Sequence, residues 1–194
     1  MKGKPLTKKI IAGTFKGKTL KLPSKVTTRS SKGIVLESFF NTLQYEIIDA
    51  TFVELFSGSG SIGLEALSRG AEHLIFMEMD REAQKILKAN IAQTDPARCE
   101  IVSGDSFVNI SQVVAQLKRQ GKEAYFYIDP PFSIREGHED IYNKMIALIT
   151  SLPDEVVKMI IVEHMTGLEL ADQLGIHTKI KSKKFGKTSL TYYS

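Results

Sequence analysis

A short apolar run, Thr51–Phe56, leads into Gly58-Ser59-Gly60-Ser61-Ile62-Gly63 and then into the helix-period segment IGLEALSRG. A G-x-G-x-x-G loop between a strand and a helix constrains the fold more than any other feature of this chain. It belongs to units in which the backbone turns sharply beneath a ligand. The same alternation of apolar run and helical pattern then repeats: HLIFMEM with REAQKILKANIAQ, CEIVSGD with FVNISQVVAQLKRQG, AYFYID with a helix over 139–150, then VVKMIIVEH and the short amphipathic stretch GLELADQLG. Two last strands, near 176–183 and 188–193, have no helix between them and suggest one antiparallel strand. The pattern predicts a Rossmann-like α/β fold, a mostly parallel seven-stranded sheet with helices on both faces.

Ahead of this repeat, KKIIAGTFKGKTLKLP reads as two short strands around a turn near Phe15 to Gly17, a small N-terminal β-ribbon. GIVLESFFNTLQYE, 33–46, places Val35, Phe39 and Leu43, with Leu36 and Phe40 beside them, on one face of an amphipathic helix that packs against a sheet. The expected organisation is a basic ribbon and linker over 1–32 and one α/β domain over 33–194. A length of 194 residues with 42% apolar and 25% charged residues suits one globular domain. No apolar run approaches a membrane span, and MKGKPLTKKII lacks the features of a signal peptide, so a cytoplasmic protein is expected. The single cysteine, Cys99, permits neither an internal disulfide nor a cysteine-based zinc site, and no metal is expected.

The net charge of +4 conceals a segregation. Residues 1–36 hold ten Lys or Arg and no acid, and residues 173–194 hold five Lys and no acid, so all 22 acidic residues lie between them. Basic residues interleaved with apolar and turn residues fit a folded surface for a polyanion better than a solubilising tail. Lys16 and Lys18 on the ribbon, and Arg29 beyond it, are the candidate contacts to such a polyanion.

In an open α/β sheet ligands bind beyond the carboxyl ends of the strands, and here those ends are loaded with carboxylates. The first carries Glu54 before the glycine loop, the second Glu78 and Asp80, the third Asp105, and the fourth Asp129. Glu78 follows Gly58 by twenty residues, the spacing at which a carboxylate accepts hydrogen bonds from the hydroxyls of an adenosine ribose. A pyrophosphate-bearing dinucleotide is repelled by so many acids. S-adenosylmethionine, with its sulfonium, ammonium and adenine amino groups, is attracted by them. A small nicotinamide oxidoreductase is therefore disfavoured.

Asp129-Pro130-Pro131-Phe132 closes the fourth strand. Two prolines can merely stop a strand, but here a carboxylate and an aromatic ring bracket them at the ligand edge. Proline removes backbone donors and leaves carbonyl oxygens to accept hydrogen bonds from an amino group. If the Asp129 carboxylate and the Pro130 carbonyl take the two hydrogens of an exocyclic amine, its lone pair is aimed at a sulfonium methyl. Phe132 would stack on the unstacked base. A carboxylate favours guanine, which offers adjacent donors, over adenine, which offers an acceptor beside its amine.

FVELFSGSGSIGLEALSRGA, then FMEMDR, then YIDPPF together resemble the bacterial 16S ribosomal RNA guanine-N2 methyltransferase family. IIAGTFKGKTLKLP, TTR with ESFFNTL, and FGKTSLTYYS extend the resemblance over most of the chain. It implies a class I S-adenosylmethionine-dependent methyltransferase acting on a guanine amino group of 16S rRNA, free or in a small-subunit assembly intermediate. It also implies cofactor contacts from Glu54, Phe56, Ser57, Gly58, Gly60, Glu78, Asp105 and Ser106, and base contacts from Asp129, Pro130, Pro131 and Phe132. Ser30-Ser31-Lys32-Gly33-Ile34-Val35-Leu36 departs from the family pattern.

The alternatives are an adenine-N6 or protein-glutamine methyltransferase, which use a related Pro-Pro motif, and a non-catalytic RNA-binding assembly protein. His73, His138, His164 and His177 lack metal-ligand spacing. Cys99 reads as packing, and Asp80 reads equally as a helix N-cap or a cofactor contact. Arg135 is either a phosphate contact or a solvated loop residue. Nothing in the sequence demands more than a monomer.

Overall fold

A computed structural model describes residues 6–23, 31–131 and 139–194. Arg29, Phe132, Arg135 and His138, singled out above, lie outside the described residues. Two strands, β1 (Thr7–Lys9) and β2 (Thr19–Lys21), pair antiparallel as the expected ribbon. Helix α1 (Ser31–Leu43) runs into a 3-10 turn over Gln44–Ile47. The helix expected over 33–46 thus starts two residues earlier and tightens at its end, and most of the stretch that departs from the family pattern is its first turn.

The alternating units follow as β3 (Thr51–Leu55), α2 (Ser61–Ser68), β4 (His73–Glu78), α3 (Arg81–Ile91), β5 (Cys99–Ser103), α4 (Ser106–Gln120), β6 (Ala124–Ile128), α5 (Glu139–Ser151) and β7 (Val157–Met165). A two-residue strand β8 (Gln173–Leu174), then β9 (His177–Phe185) and β10 (Thr188–Tyr193), complete the chain. The main sheet has the order β5-β4-β3-β6-β7-β10-β9-β8. Eight strands replace the expected seven because the end of GLELADQLG, read as amphipathic, pairs with the start of β9 through Gln173 and Leu174. Gly186, at φ 64°, turns the chain back between β9 and β10. β10 therefore inserts antiparallel between β7 and β9.

All five residues of β3 and all five of β6 are buried, as a parallel strand covered on both faces requires. Alternate residues feed two cores. Phe52, Leu74, Phe76, Tyr125 and Tyr127 face α1, α2 and α3. Val53, Ile75, Met77, Phe126 and Ile128 face α4 and α5. The predicted apolar face of α1 is the buried one, and Phe39, fully enclosed, sets its ring 5.2 Å from Tyr127 and 6.2 Å from Phe52. Burying such a ring contributes about 2 to 3 kcal/mol.

The ribbon shares the first core through Ile10 and Leu20 and is bolted down by three polar side chains. The Glu65 carboxylate accepts from the amides of Ile11 (2.7 Å) and Ala12 (3.1 Å). The Ser68 hydroxyl accepts from Phe15 N–H at 2.9 Å. The Asn90 side chain, fully buried, accepts from Lys21 N–H and donates to the carbonyls of Lys21 and Ser59, each at 2.9 Å. One residue thereby ties the ribbon to the glycine loop.

Candidate active site

After β3 the chain enters the left-handed region at Phe56 (φ 55°) and stays twisted through Gly58 (φ 54°) and Gly60 (φ 72°), where α2 begins. The glycines differ in why they are needed. A Cβ on Gly58 would meet no atom within 4 Å, so its requirement is conformational and its open side is available to a ligand. A Cβ on Gly60 would lie 2.4 Å from Leu87 Cδ1, and one on Gly63 would lie 2.5 Å from the Phe76 ring and 2.9 Å from Glu54 Oε2. Those two let the helix seat against the sheet.

Glu54, 4% exposed, accepts a 2.8 Å hydrogen bond from Gly63 N–H at the start of α2. Burial pushes its carboxyl up to about 8, against the lowering effect of the Gly63 and Ile62 amides and of Lys8; the nearby Asp129 charge adds to the rise. Glu78 at the end of β4 accepts from Gly58 N–H and Asp80 N–H, both at 2.7 Å. The twenty-residue spacing is thus a direct contact that pulls the loop onto β4. Each Glu78 oxygen keeps a further lone pair for a ligand hydroxyl. Asp80 caps α3 by accepting from Ala83 N–H at 2.7 Å, and its side of the cleft is also a wall.

Asp105 caps α4 through Phe107 N–H at 2.9 Å and is exposed. The rings of Phe56 and Phe107 lie 5.0 Å apart, tilted by 56°. Phe56, Gly58, Glu78, Asp105, Phe107 and Asp129 line one cleft of about 930 Å³. Ser106 is 2% exposed beneath the first turn of α4 and does not line it.

A second cavity of about 400 Å³ adjoins it on the ribbon side, walled by Lys8, Glu54, Ser57, Tyr127, Asp129 and Glu163 among others. Phe56, Gly58 and Asp129 border both spaces. Asp129 is half-buried, Pro130 buried and Pro131 exposed on the cleft wall. Tyr127 donates to Glu163 Oε2 at 2.6 Å. Burial first, then the Glu163, Asp129 and Glu54 charges, hold its phenol well above the ordinary range. Ser57, 6% exposed, has a hydroxyl with no hydrogen-bond partner among the described residues.

Of the residues expected to bind a cofactor, Phe56, Gly58, Glu78 and Asp105 gather in the larger cleft, while Glu54 and Ser57 face the ribbon-side cavity and Gly60 and Ser106 pack beneath. Lys8, Phe107, Tyr127 and Glu163 were not anticipated. Reading the fifth strand end as the first four were read would have found Glu163, which follows the apolar run of β7. Lys16 and Lys18 are exposed on the ribbon. The Lys18 ammonium also donates to the Gln93 carbonyl and lies 5.3 Å from the Phe15 ring centroid. Among the described residues no cluster of His, Cys, Asp and Glu could hold a metal ion, and no helix is long and apolar enough to cross a membrane. His164 and His177 are buried and bonded to core partners, and burial pushes the Cys99 thiol up to about 12.

The chain is similar to known proteins over nearly its whole length. A relative named "Putative rRNA methyltransferase YlbH", from Bacillus subtilis, is 28% identical over 190 residues, 95% of this chain and 97% of its own. Ribosomal RNA small subunit methyltransferase D of Escherichia coli K12 is 32% identical over 124 residues, 64% of this chain and 60% of that relative. A solved Escherichia coli structure described as "Putative methyltransferase yhhF" superposes with a TM-score of 0.76 at 28% identity, covering 97% of both chains. The model of the family described as conserved hypothetical protein 95 matches residues 8–194. This chain, with its class I methyltransferase fold, belongs to that family.

Proposed function

We propose that this chain transfers a methyl group from S-adenosylmethionine to the exocyclic N2 amine of a guanine in 16S ribosomal RNA. The observation that carries the reading is the position of Asp129, which borders both the acidic cleft and the cavity walled by the ribbon. The names of two relatives, an rRNA methyltransferase and an rRNA small-subunit methyltransferase, support ribosomal RNA as the substrate.

S-adenosylmethionine, when bound, supplies an electrophilic methyl group on a sulfonium. The cleft suits it: Glu78 is held by two amides with lone pairs to spare for a ribose, Gly58 leaves backbone open, and Phe56 and Phe107 offer apolar faces for an adenine. Asp105 in the cleft wall, and Glu54 in the adjoining cavity, suit the cofactor's positive charge. Asp129 and the Pro130 carbonyl accept the two N–H groups of the target amine, so its lone pair points into the cleft. With the cofactor bound, the amine would be held in line with that methyl group, and Asp129 would take the proton the nitrogen loses on transfer. Phe132 stacks on the base, and Glu163, ordered by Tyr127, adds a second acceptor to the same cavity. That favours the donor-rich edge of guanine over adenine.

Lys16, Lys18, Arg29 and Arg135 contact the RNA backbone, with 1–32 acting as the docking element of a monomeric enzyme whose methyltransferase domain is 33–194. The test is transfer of labelled methyl to unmodified small subunits and to naked 16S rRNA, followed by nucleoside analysis. N2-methylguanosine is the expected product. Label in N6-methyladenosine or in protein, or no transfer with cofactor bound, would overturn the reading.

A further inference from the structure

The N-terminal charge has a place in the proposal above, and the equally acid-free C-terminal end has none. Lys179, Lys181, Lys183, Lys184 and Lys187 fall on β9 and on the turn into β10. Lys179 pairs with Asp172 at 2.7 Å, much as Lys85, Lys118, Lys122 and Lys144 pair with carboxylates elsewhere. Lys183, Lys184 and Lys187 have no carboxylate within ion-pair distance among the described residues. The Lys183 ammonium donates to Thr42 Oγ1 on α1 at 3.3 Å, and Lys181 lies 4.8 Å from the Tyr192 ring centroid. Burial, and then the Lys183 charge, hold Lys181 below the ordinary lysine range. Positive charges are crowded here, and among the described residues Lys183, Lys184 and Lys187 have no carboxylate within ion-pair distance to offset them.

Sheet register shows where this charge stands. Ile128 is aligned with Val162, Glu163 with Leu190, and Leu190 with Lys183. Glu163, Leu190 and Lys183 therefore lie along one row across β7, β10 and β9, one residue beyond the row of Ile128, and Asp129 follows Ile128 at the end of β6. Three strand spacings put the Lys183 backbone about 14 Å from that of Asp129. β9 runs in the direction of β7, so Lys184 and the turn at Gly186-Lys187 rise beyond this row at the ligand edge, about 3.3 Å per residue. The ribbon, with Lys8 and Lys9 on the cavity wall, flanks the other side.

We infer that the β9–β10 hairpin is a second RNA-backbone contact, taking phosphates on one side of the target nucleotide while the ribbon takes those on the other. The inference rests on the rRNA reading above. Lysines on an edge strand also serve to block strand-to-strand association, and β8 covers only the first two residues of β9. Lys187, however, sits in the turn, and Lys183 reaches α1; neither guards the open edge.

The test is the double variant Lys184→Gln/Lys187→Gln, titrated over a salt series against transcribed 16S rRNA and against unmodified small subunits. Two lost phosphate contacts lower the slope of log affinity against log salt by about 1.4 to 1.8, and weaken binding about 25- to 60-fold at 0.1 M salt. Cofactor affinity and thermal midpoint stay at the wild-type values. A wild-type protein that binds neither probe overturns the rRNA reading and the hairpin with it. Wild-type binding with an unchanged slope in the variant overturns the hairpin alone, and new self-association of that variant would identify the lysines as edge guards.

Discussion

Replacing Glu54 with Gln separates what this carboxyl does for the fold from what it does for the ligand. Its ordinary value is 4.5 and burial raises it to about 8. The folded protein therefore holds a proton between these limits that the unfolded chain releases. Stability falls as pH rises through this window and levels off above it. At about 1.36 kcal/mol per unit, the penalty is roughly 3 kcal/mol at pH 7 and approaches 5 kcal/mol above pH 8. Gln keeps an oxygen to accept from Gly63 N–H and cannot ionise, so the variant escapes the penalty. Urea denaturation at pH 5, 6, 7, 8 and 9 should show the two proteins nearly equal at pH 5 and the variant progressively more stable toward pH 9. Calorimetry in buffers of different ionisation enthalpy supplies the other half. Wild-type protein at pH 7 should release a proton on binding S-adenosylmethionine, because a cationic ligand favours ionised Glu54. The variant should bind more weakly and release none. Parallel stability profiles, or a variant less stable than wild type at pH 8, would refute the assignment of a buried, protonated Glu54.

Three further substitutions probe the rest of the site. Asp129→Ala should abolish methyl transfer while cofactor affinity stays within a few-fold of wild type; equal loss of both would place Asp129 on the cofactor instead. Asn90→Ala removes three hydrogen bonds and strands the Lys21 amide, costing about 2 to 4 kcal/mol. Denaturation would measure that loss, and hydrogen exchange should speed up at Lys21 ahead of the main sheet. Lys16→Glu should weaken rRNA binding and flatten its salt dependence, and an unchanged slope would mean that this part of the ribbon faces away from the RNA.

Much of the architecture was legible because it is local. Hydrophobic period distinguished strand from helix through β3 to β7, and the face of α1 read from five apolar residues is the face that is buried. The strand–glycine–helix order located the loop, and the Gly58-to-Glu78 spacing emerged as a hydrogen bond. Short-range reading failed where a residue's partner is distant in the chain. Glu65, in IGLEALSRG, looks like a surface glutamate, yet it is 1% exposed and holds the amides of Ile11 and Ala12. The pairing of β8 with β9 could not be read from a stretch whose apolar residues also fit an amphipathic turn.

By itself the sequence determined the elements, the acids at four strand ends and the basic character of both termini, because each follows from neighbours along the chain. Only the tertiary structure decided which of these meet. β3 lies between β4 and β6, so Glu54, Glu78 and Asp129 border adjoining spaces although 75 residues separate the first from the last. The insertion of β10 between β7 and β9 puts Lys183 in the row of Glu163. Strand order and register set these meetings, and both depend on how all the apolar faces are buried at once, which no local pattern specifies.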